Sequence, residues 1–452
     1  MANDLVPRCV VSSKLRHSIS TRHFHRGFAP LAVANARRND RRSPARACDC
    51  RIRSLSPRRG PTPAPDTPGE CFLQHPAYYA DVRKEALAAG SPLPPSHGRR
   101  VVVGMSGGVD SSTAAALLQR QGYEVIGVGL RLPLLQAGCN SPRRCCGPAA
   151  MEDARAVANQ LGIRFAALDY QELFSREIVE RFFRSYAEGR TPNPCAECNR
   201  LIKFGRLLEF ARVMGADFLA TGHYARTSRD PQSGRHLLLK GADRQKDQSY
   251  FLYALSQEQL AAALFPLGGM TKDETRRLAR SFGLPVAEKP GSQDICFLGE
   301  GDYRSLLAER HPESLQPGPI LDRRGRVLGT HKGIAGFTVG QRKSLGIAAR
   351  APLYVLAIHP ATRAVVVGTK EELQQEKFTV AGINWTAFDP PPHSLEAQVK
   401  VRYRQPEQPA AICLIEPGRA EVRWHTPQPA AAPGQSAVFY QGEAVLGGGV
   451  IE

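Results

Sequence analysis

Three short stretches concentrate the residues that can do chemistry. Residues 101–121 read VVVGMSGGVDSSTAAALLQRQ. A β-branched run, Val101 to Val103, is the composition of a buried strand. It passes through Gly104, Met105, Ser106, Gly107 and Gly108 into an Ala/Leu-rich helix whose first turn holds Val109, Asp110, Ser111 and Ser112. Glycines let the backbone turn tightly and approach a ligand, and the open N–H groups at the positive end of a helix attract an anion. A strand–glycine loop–helix unit of this kind cradles phosphate. The GxxxxGK[ST] spacing with its lysine is missing, and so is GxGxxG. An acidic residue in such a loop makes sense as a ligand for Mg²⁺ or water, because a bare carboxylate would repel a triphosphate.

The other two stretches carry sulfur. Residues 190–205 read RTPNPCAECNRLIKFG. The two prolines are expected to hold Cys195 and Cys198 on an ordered loop that opens into a helix near Asn199. A thiol beside a helix N-terminus, with Arg200 and Lys203 close by, is expected to have a lowered pKa and to be reactive. Residues 289–299, KPGSQDICFLG, put Cys296 after a Gly-Ser-Gln-Asp turn. Three thiols, Cys195, Cys198 and Cys296, could converge. Three cysteines with an open coordination position suit a [4Fe–4S] cluster, and a CxxC pair suits zinc if a fourth ligand exists. Cys145 and Cys146 are adjacent, point apart and read as packing.

The elements around these stretches alternate. Strands VVVGM, EVIGVGLRL, FAALDY and DFLATGHY are separated by amphipathic helices at about 149–161, 174–187 and 202–214, which implies α/β architecture with a parallel sheet covered on both faces. Ligands in such sheets sit at the carboxyl ends of the strands. That groups the glycine loop, Leu130 at the end of the second strand, and the turn Thr221-Gly222-His223-Tyr224. Beyond Pro290 the texture changes. Residues 98–298 are expected to form the nucleotide-binding domain, 299–376 a small central domain, and 377–452 a β-barrel of alternating strands with Pro/Gly turns.

The chain has 452 residues and a net charge of +18, of which residues 1–60 alone contribute +11 through thirteen Arg and one Lys against three Asp. That segment has no apolar period, and its Arg-rich, Ser-containing, acid-poor composition is that of an organellar transit peptide. A basic nucleic-acid-binding arm is the competing reading. Residues 1–97 are therefore expected to be transit peptide and disordered, Pro-rich linker, outside the folded core. Eleven cysteines scattered through such a chain do not make a secreted disulfide framework. No apolar run approaches the ~20 residues of a membrane-spanning helix.

SGGVDS resembles the PP-loop of the ATP pyrophosphatases, which split ATP between its α and β phosphates and adenylate an oxygen of the substrate. With PNPxxxCN and GSQDICF also present, residues 98–452 resemble the tRNA-specific 2-thiouridylases. The likeness extends to GHYAR, KDQSYFLYAL, LFPLG, FTVGQRKSLGI, VRYR and GQSAVFY. The resemblance implies an adenine nucleotide α-hydrolase-like fold, ATP and Mg²⁺, and a persulfide donor such as a cysteine desulfurase or relay protein. It implies the wobble uridine of a tRNA anticodon loop as substrate, no membrane partner and a monomer. Gly104 to Ser111, Leu130 and Gly222 would hold the nucleotide, Cys198 would be the nucleophile and Cys296 would carry the persulfide. Asn193, Pro194 and Cys195 would meet the target base, and His223, Lys246, Asp247, Gln248, Arg402, Tyr403 and Gln435 would touch tRNA. Many members carry Asp where this chain has Cys195, which keeps the cluster alternative open. The expected compartment is the chloroplast stroma, with the mitochondrial matrix as the alternative.

The implied chemistry makes physical sense. A C2 carbonyl oxygen is a very poor leaving group until AMP is attached to it, and the PP-loop with Mg²⁺ stabilises the charge that develops on the phosphates. Sulfur then reaches C2 either as sulfide released when Cys198 and Cys296 become a disulfide, or by direct attack of the persulfide with Cys198 resolving it. Both orders remain open. Two rival readings are a PP-loop ligase or synthetase that uses an amine nucleophile, and a catalytically inactive RNA-binding protein that keeps the fold.

Overall fold

The computed structural model describes residues 9–10, 93–135, 147–291, 295–298, 303–389 and 391–452. Cys139, Cys145, Cys146 and nearly all of the expected leader lie outside the described residues. Strand β1 (Arg100–Gly104) pairs in parallel with β2 (Glu124–Arg131), β2 with β3 (Arg164–Asp169), and β1 on its other side with β4 (Phe218–Ala220). The hairpin of β5 (Ala225–Arg229) and β6 (His236–Lys240) follows, and β7 (Ala263–Leu264) completes the parallel sheet beside β4. A two-residue strand, Cys9–Val10, adds antiparallel to β3 at the opposite edge.

The valines of β1 divide between two cores, as alternation requires when a strand is covered on both faces. Val102 joins Ile126, Val128, Phe174 and Phe182 on one face, while Val101 and Val103 join Met105, Val125 and Val157 on the other. Helix α1 (Val109–Arg120) follows the glycine loop, and α2 (Pro148–Leu161) returns the chain to β3. Next come α3 (Glu180–Ala187) and α4 (Pro194–Glu197), which runs directly into a π-helical stretch, Cys198–Leu207. Two expectations change here. Helix begins at Pro194, so Cys195 and Cys198 lie within helical turns instead of on a loop. Proline lacks only an N–H that the first turn leaves unused, and its fixed φ suits that position. The fourth strand is also shorter than expected, ending at Ala220 and leaving residues 221–224 as a loop.

The central region is a four-stranded sheet built from β8 (Gly318–Leu321), β9 (Val327–His331), β10 (Tyr354–His359) and β11 (Ala364–Gly368), ordered β9-β8-β11-β10. The C-terminal strands are β12 (Gln374–Trp385), β13 (Ser394–Lys400), β14 (Gln408–Glu416), β15 (Arg419–Pro429), β16 (Ser436–Gln441) and β17 (Ala444–Ile451). Their order is β12-β15-β14-β13-β16-β17, and β12 also pairs with β17, so the sheet closes into a barrel. The β5–β6 hairpin belongs to this sheet: Leu238 and Leu239 pair with Val445 and Ala444. Part of the N-terminal segment is thus structurally barrel.

Candidate active site

The glycine loop leaves the carboxyl end of β1 with Met105 N donating to Val128 O at 2.8 Å, which fixes it to β2. Ser111 closes the turn: its Oγ accepts from Ser106 N at 3.1 Å, lies 3.2 Å from Ser106 Oγ and donates to Gly108 O at 3.3 Å. Gly107 has φ +68°, and a Cβ there would sit 2.0 Å from Ala150 O at the start of α2. Only glycine satisfies both demands. Gly108 caps α1 without a side-chain hydrogen bond. The first-turn amides of α1 therefore keep their capacity for an anion. Gly222 packs against the same turn, where a Cβ would meet Ser111 N at 2.7 Å.

Asp110 is the polar centre of this crevice. Lys272 Nζ donates to its Oδ1 at 2.5 Å, and Tyr224 Oη donates to the same oxygen at 2.8 Å. Desolvation and the Asp110 carboxylate push the Tyr224 phenol well above its usual range, so it stays a donor. Lys272 is the first residue of a helix, Lys272–Ser281, opened by a capping box between Thr271 and Glu274. On the other side of the loop, Lys289 Nζ donates to Gly107 O at 3.1 Å and pairs with Asp153. Sequence reasoning found neither lysine. The TKDE capping signal marks Lys272 as a helix start, but nothing local shows that either cation reaches the loop.

The thiols gather at the α4–π junction. Asn193 caps α4 by accepting from Ala196 N at 3.3 Å and donates through Nδ2 to Ser436 Oγ at 3.0 Å. Gln435 Nε2 donates to the carbonyls of Thr191 and Pro192, each at 3.1 Å, so the barrel turn holds the strap that precedes the thiols. Cys198 is 8% exposed and Cys195 half-buried. Burial pushes the Cys195 thiol up to about 11 and that of Cys198 up to about 12; Cys296 raises both further, and Lys203 opposes. The expected lowering is therefore corrected: desolvation outweighs the cations, and Arg200 turns away to Glu197 at 2.7 Å. Among the described residues, no three His, Cys, Asp or Glu side chains are arranged to hold a metal ion, Cys195, Cys198 and Cys296 included.

The remaining expected contacts divide by exposure. Lys246 is exposed, while Asp247 is buried and accepts from Gly241 N, Ser249 N and Ser249 Oγ at 2.9, 3.1 and 2.9 Å. Gln248 Oε1 accepts from Tyr224 N at 3.0 Å. His223 is buried between Phe204 and Phe265 with Nδ1 2.7 Å from Thr221 Oγ1, and burial drives its pKa well down, so the ring is neutral. VRYR forms a turn after β13 and not a strand face. Arg402 donates to Val339 O at 2.9 Å, and Tyr403 stacks 4.6 Å from Phe251.

Three family models cover the folded part of the chain: a "tRNA methyl transferase HUP domain" over residues 99–300, a "tRNA methyl transferase PRC-barrel domain" over 304–369, and an "Aminomethyltransferase beta-barrel domain" over 375–451. A tRNA-specific 2-thiouridylase of Moorella thermoacetica is 50% identical over 352 residues, 78% of this chain and 99% of that protein. The chain belongs to the tRNA-specific 2-thiouridylase family. A second 2-thiouridylase, from Synechococcus, is 49% identical over 364 residues, 80% of this chain and 96% of its own length. A solved 4-thiouridine synthetase–RNA complex with bound ATP matches at 17% identity and TM-score 0.29, covering 49% of this chain and 52% of that one. As a 2-thiouridylase family member the chain is an enzyme.

Proposed function

We propose that this enzyme replaces the C2 oxygen of the wobble uridine of tRNA with sulfur, in two chemical stages. In the first, the C2 oxygen attacks the α-phosphorus of ATP, the α–β bridging bond breaks and pyrophosphate leaves. The first-turn amides of α1 and the Ser106–Gly108 loop hold the phosphates, and Asp110 would be the oxygen ligand for Mg²⁺. Mg²⁺, when bound, neutralises charge on the leaving pyrophosphate. Tyr224 and Lys272 hold the Asp110 carboxylate in place.

In the second stage the outer sulfur of a Cys296 persulfide, loaded by a donor protein, bonds to C2 as AMP leaves. The Cys198 thiolate attacks Cys296 Sγ and breaks the S–S bond, whose electron pair stays with the transferred sulfur. A Cys198–Cys296 disulfide remains, and an external thiol reduces it before the next turnover. One observation carries this reading: Cys198 lies in a hydrophobic core cluster against which Cys296 packs, although almost a hundred residues separate the two thiols in sequence.

The test is an assay with tRNA transcript, Mg-ATP and a persulfide donor. We expect AMP, pyrophosphate and 2-thiouridine in equal amounts, and no 2-thiouridine from Cys198→Ser or Cys296→Ser although both still bind tRNA. Release of ADP would overturn the first stage, and wild-type yield from either serine variant would overturn the second. Transfer of an amine to the nucleotide-activated group would favour a ligase.

A further inference from the structure

We propose that Lys289 binds the phosphates of the nucleotide, supplying the cation that the glycine loop itself lacks. The proposal rests on the ATP reading above. SGGVDSS contains no lysine, whereas a triphosphate needs charged donors as well as backbone amides. Lys289 is 182 residues from Gly107 in sequence, yet its ammonium lies 3.1 Å from the Gly107 carbonyl. The loop is thereby held between Lys289 on one side and Ala150 of α2 on the other, where a Gly107 Cβ would come within 2.0 Å of the Ala150 carbonyl.

The electrostatic setting separates Lys289 from Lys272. Lys272 spends its charge on Asp110, a member of the loop's own helix, and shares that oxygen with Tyr224. Lys289 is paired instead with Asp153 of α2. Its side chain is 16% exposed and that of Asp153 40%, so the stem is packed and the ammonium is kept at the loop by a carboxylate in contact with water. Water reaches the Asp153 end of the pair, where the carboxylate can be solvated if the ammonium leaves it. An arriving phosphate competes with Asp153 for an ammonium already within hydrogen-bond reach of the loop backbone.

A latch that merely props up the loop and a phosphate ligand predict opposite results for two variants. Calorimetric binding of a non-hydrolysable ATP analogue and of adenosine to the full chain, without tRNA, separates them. Lys289→Met should weaken the ATP analogue by about tenfold or more, the effect of one charge-assisted hydrogen bond, while adenosine binding stays within about twofold. Lys289→Arg should restore most of the loss. Asp153→Asn should tighten the ATP analogue severalfold by removing the competing carboxylate. Equal loss for ATP analogue and adenosine in Lys289→Met, or weakening of the analogue in Asp153→Asn, would overturn the proposal. Unchanged analogue binding in Lys289→Met would overturn it too, with the ATP reading left standing. Failure of the wild type to bind the analogue would overturn both.

Discussion

The phosphate crevice and the thiol site are built on opposite plans. The crevice is preassembled and polar: the Ser106 and Ser111 hydroxyls, the Asp110 carboxylate and both lysines are already hydrogen-bonded, and its framework is a loop of consecutive residues onto which distant side chains close. The thiol site is partly to fully buried, gathered from separate segments, and burial keeps the Cys195 and Cys198 thiols protonated against their chemistry. A phosphate site works by standing ready, because preorganised dipoles cost nothing to reorient when charge arrives. A reactive sulfur works by being withheld until the electrophile exists, since a permanently ionised thiol would be open to oxidation.

The largest expected effect strikes the ready half. Asp110→Ala should cut tRNA-dependent pyrophosphate release by at least about a hundredfold, the scale seen when a positioned charge is removed from an active site. Persulfide loading of Cys296, followed by mass spectrometry, should be unchanged. If loading also fails, the two sites are not separable as described. Gly107→Ala comes next. With φ +68° and a Cβ 2.0 Å from Ala150 O, it should lower stability by about 2 to 4 kcal/mol, read by denaturant unfolding. A wild-type unfolding midpoint would mean that the loop is not pinned.

The withheld half has its own test. With Cys198 pushed up to about 12 by burial, its thiolate is a small minority near neutral pH and grows about tenfold per pH unit. Iodoacetamide labelling of Cys198 in the ligand-free protein should be slow at pH 7 and climb steadily as pH rises. A plateau below pH 9 would show a pre-ionised thiol and erase the contrast. The smallest effect is expected from Asn193→Ala, which removes the cap of α4 and the bond to Ser436. Stability should fall by about 1 kcal/mol, while thiolation should fall more than ATP binding.

The same contrast decides what could be read from the chain. The glycine loop was legible because its physics is local: a strand, glycines at a turn and an acidic first turn are written in consecutive residues. The parallel sheet and the barrel followed from strand–helix alternation and from period-two patterning. The thiols were legible as residue types, but their ionisation was not. Proximity to Arg200 and Lys203 in sequence suggested lowered values, whereas burial by distant side chains sets the sign. Pro194 was read as a helix breaker where it is a helix starter, because the same residue serves both roles and its register relative to Asn193 decides between them. Lys272, Lys289 and the bonds from Gln435 and Ser436 are tertiary facts with no local signature.

The β5–β6 hairpin sits between Tyr224 and the thiol-side barrel, and its Leu238–Leu239 pairing with Val445–Ala444 joins segments roughly two hundred residues apart. On a ribosome the hairpin therefore emerges long before the strand that covers its edge. Until β17 is released, an apolar strand with unused backbone groups waits exposed, the kind of edge that recruits neighbouring chains. Lys240, paired with Glu407, and Arg226, paired with Glu443, add two charges from the hairpin whose partners arrive equally late. A message broken anywhere between these segments would yield a parallel-sheet domain carrying a hairpin with a permanently open edge, prone to aggregation and not a smaller working enzyme.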